Sequence, residues 1–283
     1  MKILVTGASG QLGTCIQEVA AEYENLEWIF ASSIDLDITD VEEVSDFFSE
    51  HQPDTVINCA AYTAVDKAEN HAETVYNVNA EAVRILSEQC KFHNAVLVHI
   101  STDFVFDGTA KEPYKITDAT NPLGVYGASK LKGETYVQEI LDTYFIIRTS
   151  WVYSEFGGNF MKTMLRLAET KNELNVVADQ IGAPTYAMDL AKFLVEIVSS
   201  KSTNYGIYHY SNKGSISWHT FASAIFEYAQ KDVVVHAIPT TEYPTPAKRP
   251  EYSVLDTSNT IAQFKVDIPD WKTSLQNCLK KYL

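Results

Sequence analysis

The stretch Met1-Lys2-Ile3-Leu4-Val5-Thr6-Gly7-Ala8-Ser9-Gly10-Gln11-Leu12-Gly13 decides the fold of this 283-residue chain. Ile3 to Thr6 is an apolar run of strand length, and glycines at 7, 10 and 13 punctuate the turn that follows. From about Gln11 to Ala21 the pattern is that of an amphipathic helix. Glycine allows the turn to be tight, the backbone to approach a phosphate closely and the helix to pack against the strand. The free amides and positive end of the helix then face an anion. Gly-x-x-Gly-x-x-Gly in this setting predicts a dinucleotide pyrophosphate site, with Gly7, Gly10, Gln11, Leu12 and Gly13 as its residues.

The alternation begun there continues. Apolar runs at Trp28–Ala31, Thr55–Cys59, Val96–Ser101 and Tyr144–Thr149 read as buried parallel strands. Helical patterns near Val41–His51, Glu73–His93 and Ser129–Leu141 separate them. This predicts an α/β fold with a doubly wound, Rossmann-type parallel sheet over residues 1–150. Residues 151–283 read as a smaller α/β substrate-binding lobe, with room for the chain to return to the sheet. Helices near Asn159–Lys171, Met188–Ser199 and Trp271–Leu283 and strands near Gly206–Tyr210 and Val233–Ile238 are expected in it.

A net charge of -15 argues against nucleic-acid and anionic-membrane partners. An anionic ligand must therefore be met locally, and Lys130, Arg148, Lys248 and Arg249 are the candidate cations. No apolar run approaches the ~18 residues of a membrane span. A strand starting at residue 2 leaves no room for a signal peptide, so a cytoplasmic location is expected. The four cysteines lack ligand spacing and read as reduced, mostly buried thiols. His99, inside an apolar strand, reads as a satisfied core histidine, and no metal site is expected.

Ligands of such sheets sit beyond the carboxyl ends of the strands. One end carries Ser101-Thr102-Asp103. Tyr126 and Lys130 follow, one helical turn apart, which places a phenol and an ammonium on the same side of a helix. A phenol titrates near pH ~10, and a nearby cation lowers that value toward the working range. Thr102 is placed to hydrogen-bond a substrate carbonyl that Tyr126 protonates. Asp103 is read either as a ligand contact or as the holder of the loop to Gly108.

Further segments join these: Asp35-Leu36-Asp37-Ile38-Thr39-Asp40, Asn58-Cys59-Ala60-Ala61-Tyr62-Thr63, Asn77-Val78-Asn79-Ala80, Arg148-Thr149-Ser150-Trp151, Ala178-Asp179-Gln180-Ile181-Gly182 and Pro246-Ala247-Lys248-Arg249-Pro250. Together the chain resembles the extended short-chain dehydrogenase/reductases, and within them the RmlD-like dTDP-4-dehydrorhamnose reductases. The resemblance implies NAD(P)H-dependent reduction of the C4 keto group of dTDP-4-dehydro-L-rhamnose. It implies Tyr126 as proton donor, Lys130 as the group that lowers its pKa and binds the nicotinamide ribose, and Thr102 as the residue that orients the carbonyl. Asp103, Phe104, Trp151 and Arg249 would join Thr102 and Tyr126 in holding substrate. Gln11, Leu12, Asp37, Ile38, Ala60, Ala61 and Thr63, with Tyr126 and Lys130, would contact the cofactor. A homodimer is one assembly the resemblance allows.

The second strand ends in Ala31-Ser32-Ser33, with neither the carboxylate of an NAD-selective site nor an arginine. NADPH is therefore the expected cofactor, with NADH tolerated. Some relatives bind Mg²⁺ through glutamates at a dimer interface, but Cys15 stands at one such place and the metal is not carried over. Phe104 replaces a tyrosine common in the family. Two alternatives are weighed: a non-catalytic subunit resembling the β subunit of methionine adenosyltransferase, and a sugar-nucleotide epimerase or dehydratase. The intact Thr102, Tyr126 and Lys130 favour catalysis over the first. The single acid Asp103 followed by an apolar ring disfavours a dehydratase.

Overall fold

In the computed structural model, which describes residues 1–283, the first half alternates strand and helix as the apolar runs require. The strands are β1 (Lys2–Thr6), β2 (Glu27–Ala31), β3 (Thr55–Asn58), β4 (Val96–Thr102) and β5 (Tyr144–Thr149). The helices between them are α1 (Gln11–Ala20), α2 (Val41–His51), α3 (Val65–Ala68), α4 (Ala72–Tyr76), α5 (Ala82–His93) and α6 (Val125–Ile140). The chain then forms β6 (Val152–Tyr153), α7 (Phe160–Leu167), β7 (Glu173–Val177), β8 (Ile181–Gly182), β9 (Thr185–Tyr186) and α8 (Ala187–Ser199). β10 (Gly206–His209) follows and joins the first-half sheet beside β5. β11 (Ile216–Ser217), α9 (Trp218–Tyr228), β12 (Val234–Ile238), α10 (Ser258–Phe264) and α11 (Trp271–Tyr282) complete the fold.

The six-stranded sheet runs β10-β5-β4-β3-β1-β2, and every pair in it is parallel. Its strands are apolar on both faces because both faces are covered. Ile3, Val5, Ile57, Val98, Phe145 and Ile147 share a core with Ile16 and Val19 of α1 and Leu190 and Leu194 of α8. Leu4, Val56, Leu97 and Ile146 point the other way, onto Val44 and Phe48 of α2 and Val83 and Leu86 of α5. Burying each such side chain contributes about 1.5–3 kcal/mol, so a polar residue at Leu4 or Ile57 would be strongly destabilising. Strand order reverses between β1 and β3, which opens a crevice at their carboxyl ends.

Three expectations change on contact with the structure. The helix expected over Glu73–His93 runs unbroken but widens into a π-turn at Asn77–Glu81. There Asn79 is buried and exchanges two hydrogen bonds with the backbone of Tyr62, at 2.9 and 3.1 Å. α6 starts at Val125 instead of Ser129, because the Glu69 carboxylate, 56 residues away, accepts its first amide at 2.9 Å. The unexpected α9 is capped by Ser217, which accepts from Thr220 N. Its Phe221, Ala222 and Ile225 are wholly buried.

Candidate active site

The glycine turn closes on β3. Gly7 has φ +64°, and a Cβ there would lie 2.6 Å from Ala60 N. A Cβ on Gly13 would lie 2.5 Å from the Gly7 carbonyl, so helix, turn and neighbouring strand touch only because side chains are missing. No side chain caps α1 at Gly10. The opening amides of a helix have no partner within it, so those of Gln11 and Leu12 are free for an anion. The Gln11 side chain is engaged elsewhere: its Oε1 accepts from Asn159 Nδ2 at 2.9 Å and Ser154 Oγ at 3.2 Å, tying the turn to the second half.

At the end of β2 the chain turns back within three residues and brings a carboxylate onto Ser32. Asp35 Oδ2 accepts from Ser32 N at 2.9 Å and Ser32 Oγ at 2.6 Å, and those bonds hold it below the usual carboxylate range. The premise that this strand end lacks a carboxylate is thereby corrected. Nearby, Ile38 is buried, while the exposed Asp37 spends its carboxylate on Thr39 N and Oγ1. Past β3, Ala60 N donates to Asn58 Oδ1 and Asn79 holds Tyr62, which sets the course of Ala60, Ala61 and the exposed Thr63.

β4 and α6 bring Thr102 and Tyr126 together. Thr102 is buried, donates to Asp103 Oδ1 at 3.1 Å and accepts from Phe104 N at 3.2 Å. The Phe104 ring, two residues on from Thr102, meets the Tyr126 ring edge-on at 5.7 Å. Burial pushes the phenol up to about 12, opposed by Thr102 and reinforced by Asp103. Asp103 is itself pushed up to about 6 by burial. The Lys130 amine turns toward β4: its Nζ donates to Ile100 O at 2.6 Å and lies 3.3 Å from His99 Nε2. The 126/130 spacing aligns the two residues along α6, but only the fold shows where the amine turns. Burial lowers its pKa to about 8, and Glu134 and Cys59 oppose the drop.

The second half supplies an open cleft of about 1130 Å³, lined by Phe160, Met164, Gln180, Trp218, Asp66 and Arg249 among others, while Thr102, Tyr126 and Lys130 stand outside its lining. Arg249 makes two hydrogen bonds to the Asp66 carboxylate, at 2.9 and 2.7 Å, which fixes its guanidinium at the cleft wall. Trp151 is held at φ +47°, and its ring stacks on Trp218 with centroids 3.5 Å apart. It reaches the cleft through that partner. Trp218 is the residue that sequence reasoning missed. Its only signal was an aromatic following a Ser cap, which is weak by itself. Arg148, a candidate cation, is instead buried in an ion pair with Glu134 at 2.6 Å and is not free for a ligand. Burying that guanidinium requires a partner, and Glu134 on α6 is in place.

The whole chain, residues 1–283, matches the RmlD substrate binding domain family. It is 41% identical to a dTDP-4-dehydrorhamnose reductase of Aggregatibacter actinomycetemcomitans, across 98% of this chain and 97% of the relative. The reductase of that name from Escherichia coli K12 is 39% identical, with 99% and 98% covered. Among solved structures, a dTDP-4-dehydrorhamnose reductase from Clostridium acetobutylicum superposes with TM-score 0.95 at 45% identity, covering 99% of each chain. One from Bacillus anthracis, in complex with NADP, gives TM-score 0.95 at 39% identity, also covering 99% of each.

Proposed function

The chain belongs to the RmlD substrate binding domain family, and on that footing we propose that it reduces the C4 keto group of dTDP-4-dehydro-L-rhamnose with NAD(P)H. The observation that carries the reading is the convergence of Thr102 at the end of β4 with Tyr126, whose ring meets Phe104 at 5.7 Å, in a fold that also leaves the helix after its glycine turn uncapped. The residues present fit a dinucleotide: free amides at Gln11 and Leu12, a backbone stripped of side chains at Gly7 and Gly13, and Lys130 on α6. Bound there, the nicotinamide supplies hydride, and the protein supplies the rest.

Tyr126 is the proton donor. With its phenol pushed up to about 12 by burial it is a weaker acid than free tyrosine, but it keeps its proton at neutral pH and can still give it to an alkoxide, which is the stronger base. Thr102 orients the carbonyl from the other side. Asp103 and Phe104 close the pocket behind them, and Lys130 binds the nicotinamide ribose. Residues 1–150 carry the cofactor, and the lobe over 151–283, with Trp151, Trp218 and Arg249, holds the sugar nucleotide. NADPH is the cofactor favoured by the relative solved in complex with NADP, with NADH accepted. The protein works in the cytoplasm.

The test is NADPH oxidation by the purified chain with the keto-sugar nucleotide and no partner present. Turnover supports the reading. No turnover with tight, co-purifying NAD⁺ would point to an epimerase, and no turnover without bound cofactor to a binding subunit.

A further inference from the structure

Four side chains behind the active site form a buried hydrogen-bonded line. Thr6, Asn58, His99 and Lys130 are each at most 2% exposed. Their bond directions can be assigned by elimination. Ala60 N is a donor and can only donate, and it meets Asn58 Oδ1 at 3.2 Å. The Thr6 hydroxyl donates to the same oxygen at 2.7 Å. The other end of the Asn58 amide is therefore its NH₂, and that group faces His99 Nδ1 at 3.1 Å. Nδ1 must accept. A neutral imidazole whose Nδ1 accepts carries its proton on Nε2. That N–H points at Lys130 Nζ, 3.3 Å away.

An ammonium has three donors and no acceptor, so it would meet the Nε2 proton head-on. A neutral amine fits: one N–H goes to Ile100 O at 2.6 Å, and the lone pair accepts from His99. We infer that Asn58 and His99 are positioning residues which lock the imidazole as its Nε2–H tautomer and so hold Lys130 as a readily exchanging amine instead of a permanent cation. The other titratable groups around Lys130 are Cys59 past β3 and Tyr126 and Glu134 on α6. The Cys59 thiol is pushed up to about 12 and stays neutral, so Glu134, already clamped by Arg148 and Ser101, is the charge that favours the ammonium. His99 is driven well below the ordinary histidine range by burial and by Lys130, in keeping with a neutral ring. The inference rests on the reductase reading for its consequence: a lysine that gains and loses its proton near neutral pH can return one to Tyr126 between turnovers.

NMR of the cofactor-free protein, with ¹⁵N-labelled histidine and lysine assigned through His99→Gln and Lys130→Met, reads the lock directly. His99 is expected as the Nε2–H tautomer, with Lys130 titrating near pH 8. Asn58→Asp keeps the bonds from Ala60 and Thr6 but offers His99 an acceptor. The ring then turns to Nδ1–H, presents a lone pair to the ammonium, and the Lys130 midpoint rises by at least about one pH unit. The alkaline limb of turnover moves up with it. An Nδ1–H tautomer in the wild type, a Lys130 midpoint in the ordinary lysine range, or an unmoved midpoint in Asn58→Asp would overturn the inference. If that variant does not fold, the wild-type tautomer and midpoint decide. A chain that binds no NADPH overturns the reductase reading instead, and the lock is still measured in the free protein.

Discussion

Replacing Tyr126 with Phe removes a single oxygen from the site. The ring keeps its edge contact with Phe104 at 5.7 Å, and the Tyr126 carbonyl still accepts from Ser129 Oγ at 2.8 Å, so α6 should start where it does now. What is lost is an acid. With the phenol pushed up to about 12, roughly one molecule in 10⁵ is ionised at pH 7, so nearly every enzyme molecule carries the proton. Removing a positioned general acid lowers turnover by about 10²–10⁴-fold, or roughly 2.7–5.4 kcal/mol in the barrier. The assay is NADPH oxidation with dTDP-4-dehydro-L-rhamnose, run beside a fluorescence titration of NADPH. Cofactor affinity should stay within about threefold, because the phosphate cradle is distant from the change. Turnover within tenfold of the wild type, at unchanged affinity, would refute the proton-donor assignment.

Three further outcomes are expected. Arg148→Met strands Glu134, wholly buried, without its cation, and denaturant unfolding should show a loss of about 3–5 kcal/mol; Glu134→Leu with Arg148→Met should recover much of it, and a loss under 1 kcal/mol (roughly) would show that the pair is not needed. Asp35→Ala removes the carboxylate pinned at the end of β2, so the ratio of NADPH to NADH affinity should rise several-fold in paired titrations; an unchanged ratio would place Asp35 outside the cofactor's reach. The folded state raises Asp103 from 3.8 to about 6, so it binds that proton more tightly than the unfolded chain. Stability therefore falls by about 3 kcal/mol as pH rises from ~4 to ~6, and Asp103→Asn should flatten that step in pH-dependent unfolding.

Much of the fold was legible in the sequence because the relevant signals are local. Strand runs such as Ile3-Leu4-Val5 are apolar throughout, and a parallel strand covered on both faces needs nothing else. Helix α2 announces itself through Asp40, whose carboxylate accepts from Glu42 N and Glu43 N within its first turn. The failures share one cause. The start of α6 depends on Glu69, the π-turn at Asn77–Glu81 is tied to Tyr62 through Asn79, and the fate of Arg148 depends on Glu134. Each partner is 14 or more residues away along the chain, beyond the reach of any periodicity.

By itself, then, the sequence determined the strand–turn–helix of Gly7 to Gly13, the parallel sheet, and a tyrosine and a lysine aligned on one helix, since backbone freedom and side-chain spacing are properties of short segments. Only the tertiary structure decided what surrounds those groups. It turned Lys130 onto Ile100 and His99, stacked Trp151 on Trp218 and spent Arg148 on Glu134. Protonation and charge at a buried site follow from desolvation and from the direction of each neighbour's N–H or lone pair, and those are set only when distant segments pack.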